Sequence, residues 1–130
     1  MKNNVTIAGL AKAVGVGVET VRYYQRRGLL EVPQAIGAVR HYGPDDLRRL
    51  SFIRRAQGAG FTLEDITELL ALDRTEDRTR IHAMAAERIA ALDTKIHEFE
   101  TSRTALERLR ATCASGKGGA CPIIEAFDPR

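Results

Sequence analysis

Cys113 and Cys121 stand at the two ends of a seven-residue stretch, residues 114–120, that contains three glycines. Thiolates are soft donors that prefer thiophilic ions, and glycine lets a short loop fold closely enough to set two sulfurs on opposite sides of one ion. Ser115, Gly116, Gly118 and Gly119 supply that freedom, and Pro122 fixes the turn that follows. The same pair allows two other chemistries: a reversible disulfide, or two buried free thiols with a packing role only. An iron–sulfur cluster is disfavoured, because four cysteines per cluster are wanted and one chain offers two.

A second constellation is basic. At 3.6 residues per turn, Glu19, Arg22, Tyr23, Arg26 and Arg27 share the helical face opposite Val18 and Val21. Arginine offers forked donors to phosphates and guanine edges, and tyrosine hydroxyls reach phosphates. Arg40 and Tyr42 are one strand repeat apart, so both are expected to point the same way. A basic solvated helix is the plain alternative, but a helix, a turn, a second helix and a basic wing all agree on DNA.

Charge along the chain fits a division of labour. The 130 residues carry a net charge of +3, with ten Lys and Arg against four Asp and Glu up to residue 60 and eight against eleven from 61 to 112. A basic first half beside a mildly acidic helical half suggests one lobe that meets a polyanion and another with a different task. No apolar run approaches the roughly 18 residues of a membrane span, and the first residues lack a signal peptide's hydrophobic core. A cytoplasmic protein is expected, in a compartment that keeps thiols reduced. Enzyme chemistry finds no support: there is no glycine-rich phosphate cradle and no zinc-protease helix motif, and His41, His82 and His97 lie on different elements.

The elements that must position these groups are legible from local signals. Thr6 is placed to cap a helix whose inner face is Ile7, Leu10, Ala11 and Val14, and Gly15 to Gly17 break it. A second helix runs from Val18 to Arg26 and ends at Gly28, with Val18 and Val21 inward and Tyr24 able to follow them. This is a helix-turn-helix pattern. Pro33 and Gly37 between β-prone runs read as a small hairpin wing over residues 29–42. A third helix starts at Asp45 or Asp46 and stops at Gly58 to Gly60; Thr62 and Asp65 form a capping box for a fourth. From Asp77 to Thr112 there is neither Pro nor Gly, and Ala85, Ile89, Leu92, Ile96 and Phe99 step by four and three, with Leu106 rejoining the register. Such a seam needs a partner, and a second copy of the chain, antiparallel or parallel, is the simplest one.

Thr6-Ile7, the run VETVRYYQRRGLL from Val18 to Leu30, Arg40 to Gly43, Phe52 to Gln57 and Gly60 to Leu70 together resemble the MerR family of bacterial transcription regulators. The resemblance covers essentially the whole chain. It implies a mainly α fold: a winged helix-turn-helix DNA-binding lobe (residues 1–75), a long antiparallel dimerisation helix (76–112) and a short metal-binding loop with a terminal turn or helix (113–130). It also implies a homodimer on a palindromic operator within an overlong promoter spacer. Effector binding there distorts the DNA, so that RNA polymerase is engaged indirectly, through the DNA. By matching position the DNA contacts are Thr20, Arg22, Tyr23, Tyr24, Arg40 and Tyr42, with Thr6 and Arg27 completing the set. A drug-binding regulator of the same superfamily would need a large ligand domain after the dimer helix, and only about eighteen residues follow it.

The two-cysteine tail resembles the family's soft-metal sensors of the copper and mercury type, with Cys113 and Cys121 as ligands. Sensors of mercury, lead, cadmium or zinc usually carry a further cysteine near the start of the dimer helix, and that position here is Arg78. Two thiolates suit linear coordination of Cu(I), Ag(I), Au(I) or Hg(II). Around a monovalent ion they leave a net −1, which a guanidinium at about 5 Å would offset by roughly 3 kcal/mol before desolvation. Arg78 near the loop therefore favours the monovalent ions, whereas the recognition-helix run looks more like that of the mercury regulators. His82, one turn after Arg78, is a candidate third ligand; both residues have a plain reading as solvated helix positions.

Overall fold

The computed structural model describes residues 4–114 and 119–129; Ser115, Gly116 and Gly118 of the glycine-rich stretch lie outside the described residues. Helix α1 covers Ile7–Val14 and begins where Thr6 Oγ1 accepts from the Gly9 N–H at 3.2 Å. It ends at Gly15, whose φ of +80° only glycine adopts without strain, so that the Val16 N–H can reach back to the Ala11 carbonyl at 3.0 Å. Helix α2, Val18–Arg26, follows at once. It closes the same way: with Gly28 at φ +77°, the Leu29 N–H bonds the Tyr24 carbonyl at 2.9 Å, which tucks Leu29 into the core.

Between α2 and α3 the chain forms the wing. Ile36 and Val39 exchange backbone hydrogen bonds of 2.9 and 3.3 Å around a Gly37-Ala38 turn, and Val5 and Tyr42 exchange a second pair at 2.8 and 2.7 Å. Among the described residues the expected hairpin is thus reduced to the single Ile36–Val39 bridge, and the second bridge ties the end of the wing to Val5 before α1. Pro33 has no N–H to give to a ladder.

Helix α3, Pro44–Gly58, starts one residue ahead of the expected aspartates, with proline in its first turn and the Asp46 carboxylate accepting from the Gly43 N–H at 2.8 Å. Helix α4, Leu63–Asp73, has the reciprocal cap read from its sequence: Asp65 N–H to Thr62 Oγ1 at 3.0 Å and Thr62 N–H to Asp65 Oδ2 at 2.9 Å. Helix α5 covers Thr79–Ala114 and α6 covers Pro122–Phe127.

The chain divides after Met84 into two compact units. In the first, Leu10, Val21, Tyr24, Leu29, Leu50, Ile53 and Ile66 are fully buried, contributed by α1 to α4 and the turn after α2. Each such side chain stabilises the fold by roughly 1.5–3 kcal/mol relative to exposure. That core fixes α2 against α1 and α3. In the second unit the seam residues Ile89, Leu92, Ile96, Phe99 and Leu106 of α5 are all exposed, as are Ile124 and Phe127 of α6. Among the described residues no helix is long and apolar enough to cross a membrane.

Candidate DNA interface and metal centre

In the first unit the outward face of α2 carries a fixed pattern of charge. Arg22 Nη1 bonds Glu19 Oε2 at 2.9 Å within the helix. Arg27 donates through Nη1 to the Tyr23 hydroxyl oxygen at 2.7 Å and through Nη2 to Glu64 Oε2 of α4 at 2.9 Å. The guanidinium carbons of Arg26 and Arg27 each lie 5.7 Å from the centre of the Tyr23 ring, within cation–π range. The Tyr23 hydrogen bond, followed by Glu64, holds Arg27 more firmly protonated than usual. Glu64 is held below the usual carboxylate range by its own backbone N–H first and by Arg27 second.

Two of the expected contacts are buried. Tyr24, 2% exposed, and Tyr42, 3% exposed, are core residues. The Tyr24 hydroxyl donates to Gln57 Oε1 at 2.6 Å and accepts from Arg54 Nη1 at 3.3 Å. Tyr42 accepts from Gln25 Nε2 at 2.9 Å, and the same amide reaches the Glu31 carbonyl at 3.3 Å, tying the wing to α2. Arg40 remains exposed and does not share a direction with Tyr42; its Nε donates to the Pro33 carbonyl at 2.9 Å, bracing the wing. Thr6 is occupied as the cap of α1, and Thr20 is half-buried. Arg22, Tyr23, Arg26, Arg27 and Arg40 are the exposed groups left to meet a partner.

Three participants, Gln25, Gln57 and Glu64, have no signal in the sequence read by period. Their partners stand 17, 33 and 37 positions away, so only the packed core brings them together.

The second unit holds the thiols. Cys113 lies in the last turn of α5 and Cys121 immediately precedes α6, and their sulfurs face each other at 3.5 Å. That is beyond the roughly 2.05 Å of a disulfide and short of the roughly 4.6 Å that two metal–sulfur bonds of about 2.3 Å would span in a line. Cys121 is held below the ordinary thiol value by the backbone N–H of Ile124, then by the Cys113 thiol and the N–H of Ile123. Cys113 is pushed up, because it donates to the neighbouring sulfur and loses its proton beside a thiolate. The donor set suits a soft ion: two sulfurs at one spot. Among the described residues no His, Cys, Asp or Glu joins them as a third ligand. Arg78 and His82 are exposed residues of the first unit.

Comparison with known proteins agrees with this architecture. Residues 5–73 match the MerR HTH regulatory protein family, and residues 47–109 match the family described as MerR, DNA binding. The mercuric resistance operon regulatory protein of Shigella flexneri is 39% identical over 126 residues, spanning 95% of this chain and 88% of that protein. Among solved structures, the transcription regulator PbrR691 from Ralstonia metallidurans CH34 in complex with lead(II) is 35% identical with a TM-score of 0.64, covering 94% of this chain and 98% of its own. The dual-function regulator MerR from Bacillus megaterium MB1 in complex with mercury(II) is 30% identical with a TM-score of 0.56, covering 90% and 94%. Helix-turn-helix, wing, long helix and family match coincide over the same residues, and the chain belongs to the MerR family of HTH regulatory proteins.

Proposed function

We propose that this protein is a metal-responsive transcription regulator that grips a palindromic promoter operator as a homodimer and distorts it when a soft ion binds Cys113 and Cys121. The observation that carries the reading is the facing pair of sulfurs at 3.5 Å at the end of the long helix. Relatives named for mercury resistance and a relative crystallised with mercury(II) support a soft-ion effector. The DNA grip falls to α2 and the wing, through Arg22, Tyr23 and Arg40, in a lobe over residues 1–75. The exposed apolar seam of α5 supports pairing of two chains over residues 76–112, since five large apolar side chains in register are costly to leave in water. Operation on promoter DNA, not on a chemical substrate, places it in the cytoplasm.

Within that reading the effector belongs to the ions that accept two thiolates in a line: Cu(I), Ag(I), Au(I) or Hg(II). Arg78 stands at the usual third-cysteine position, and a guanidinium brought to the loop would favour a monovalent ion, because the bis-thiolate centre then keeps a negative charge for it to offset. Titration of Cu(I), Ag(I), Hg(II) and Zn(II) into the metal-free protein, with ions counted per dimer, tests this. Tight binding of a linear-preferring ion that Cys113→Ser abolishes supports it; no binding, or binding indifferent to that substitution, overturns it.

The contact between the exposed Cys113 thiol and the half-buried Cys121 thiol favours one runner-up, a redox sensor. Here the two thiols lose two protons and two electrons to an oxidant such as a peroxide and form a Cys113–Cys121 disulfide. It requires promoter activation without metal and a mass loss of two hydrogens on peroxide treatment.

A further inference from the structure

Arg27 was expected to hold a phosphate, yet its fork is already engaged within the protein. One arm is on the Tyr23 hydroxyl at 2.7 Å and the other on Glu64 at 2.9 Å. Tyr23 is 39% exposed on the outward face of α2, yet its ring is flanked by Arg26 and Arg27 and sits 6.3 Å from the ring of Tyr24, which is anchored in the core. An exposed phenol held on several sides has lost the freedom that solvent exposure normally gives it.

We propose that Arg27, clamped by Glu64, is a positioning residue that presents the Tyr23 hydroxyl as a hydrogen-bond donor to a DNA phosphate. This rests on the reading of α2 as a DNA-binding helix. A phenol oxygen accepts hydrogen bonds and gives one proton. Arg27 fills its accepting role, so the proton is left to be given, and a phosphate oxygen can only accept. The guanidinium also polarises the O–H and strengthens it as a donor. Glu64, in the first turn of α4, supplies the second anchor without which a long arginine side chain would sample several rotamers.

The clamp and plain electrostatics differ in sign. A carboxylate near DNA repels phosphates, so on charge alone Glu64→Gln tightens binding. If Glu64 acts through Arg27 on Tyr23, the same substitution weakens it.

The full-length protein is titrated into a fluorescent mixed-sequence DNA duplex of roughly 30 base pairs at several salt concentrations, since phosphate contacts operate without sequence preference. Tyr23→Phe and Glu64→Gln are each expected to weaken binding by about 10-fold or more, the range of one hydrogen bond to a charged group. The double variant should lose no more than either alone. The slope of affinity against salt should stay unchanged, because no phosphate-bound cation is lost; an arginine freed to grip a phosphate would steepen it by about one. Glu68→Gln removes the same charge one turn along α4 and should not weaken binding. Tighter or unchanged binding by Glu64→Gln, additive losses, or an equal loss in Glu68→Gln overturns the clamp while leaving α2 as the DNA helix. A failure of the unsubstituted protein to bind the duplex overturns both.

Discussion

Arg80 Nε lies 2.8 Å from Glu68 Oε2, and its Nη2 reaches Glu68 Oε1 at 3.4 Å, so the first turn of α5 is joined to α4 by a side-on pair. Glu64 and Glu68 are one helical turn apart, and α4 therefore offers one carboxylate to the end of α2 and the next to the start of α5. Glu68 is held below the usual carboxylate range, chiefly by the Arg80 hydrogen bond. A depressed acid contributes stability above its unfolded pKa and loses it as pH falls through the folded value. Arg80→Gln should therefore return the Glu68 carboxyl to the usual range, and the α4–α5 link should lose its acid sensitivity. Carbon-detected NMR titration of the Glu68 carboxyl reads this; an unmoved midpoint would contradict the assigned cause.

The two thiols should be separable by pH. Cys121 is the lowered member of the pair and Cys113 the raised one, and only the thiolate is alkylated. Iodoacetamide should label Cys121 first as pH rises, resolved by peptide mass spectrometry. In Cys121→Ser the cause of the Cys113 shift is gone, so Cys113 labelling should move to lower pH. In Cys113→Ser, Cys121 should keep a lowered value, because the Ile124 N–H remains its largest influence.

Phe99 is 66% exposed and Ile96 54% exposed at consecutive seam positions of α5. Ile96→Glu combined with Phe99→Glu should turn a dimer into a monomer without removing the helix cap or any core contact of the first unit. Light scattering with size separation gives the mass. A protein whose mass is the same with and without the substitutions would mean that this seam is not where two chains meet.

Ile66 is the fully buried member that α4 sends into the core. Ile66→Ala should destabilise the fold by about 2–5 kcal/mol, from lost transfer energy plus the cavity left behind. Urea denaturation measures it. Gly28→Ala should cost about 1–2 kcal/mol through its positive φ alone, since no atom lies within 4 Å of the added methyl.

How much of this was legible in the chain itself depends on the range of the interaction. The ends of α1, α2 and α4 could be read in advance because Thr6, Gly15, Gly28, Thr62 and Asp65 act within three to five residues of themselves. The heptad seam was equally visible, being a period along one helix. Tyr24 shows the limit. Helical period allows it inward with Val21, family resemblance implies a DNA contact, and the packed core buries it with its hydroxyl on Gln57, 33 positions away. Tyr42 is buried where strand alternation predicts that it points with Arg40, because the described wing residues form only isolated bridges.

The sequence alone determined which segments are helical, where two thiols recur and which family the chain belongs to, because caps, periods and motifs are short-range patterns. Only the tertiary structure decided which tyrosine faces out, that Arg27 answers to Glu64, and that the sulfurs come within 3.5 Å. Those outcomes depend on side chains brought together by burial of a shared core or by a turn of the backbone, and separation along the chain carries no record of either.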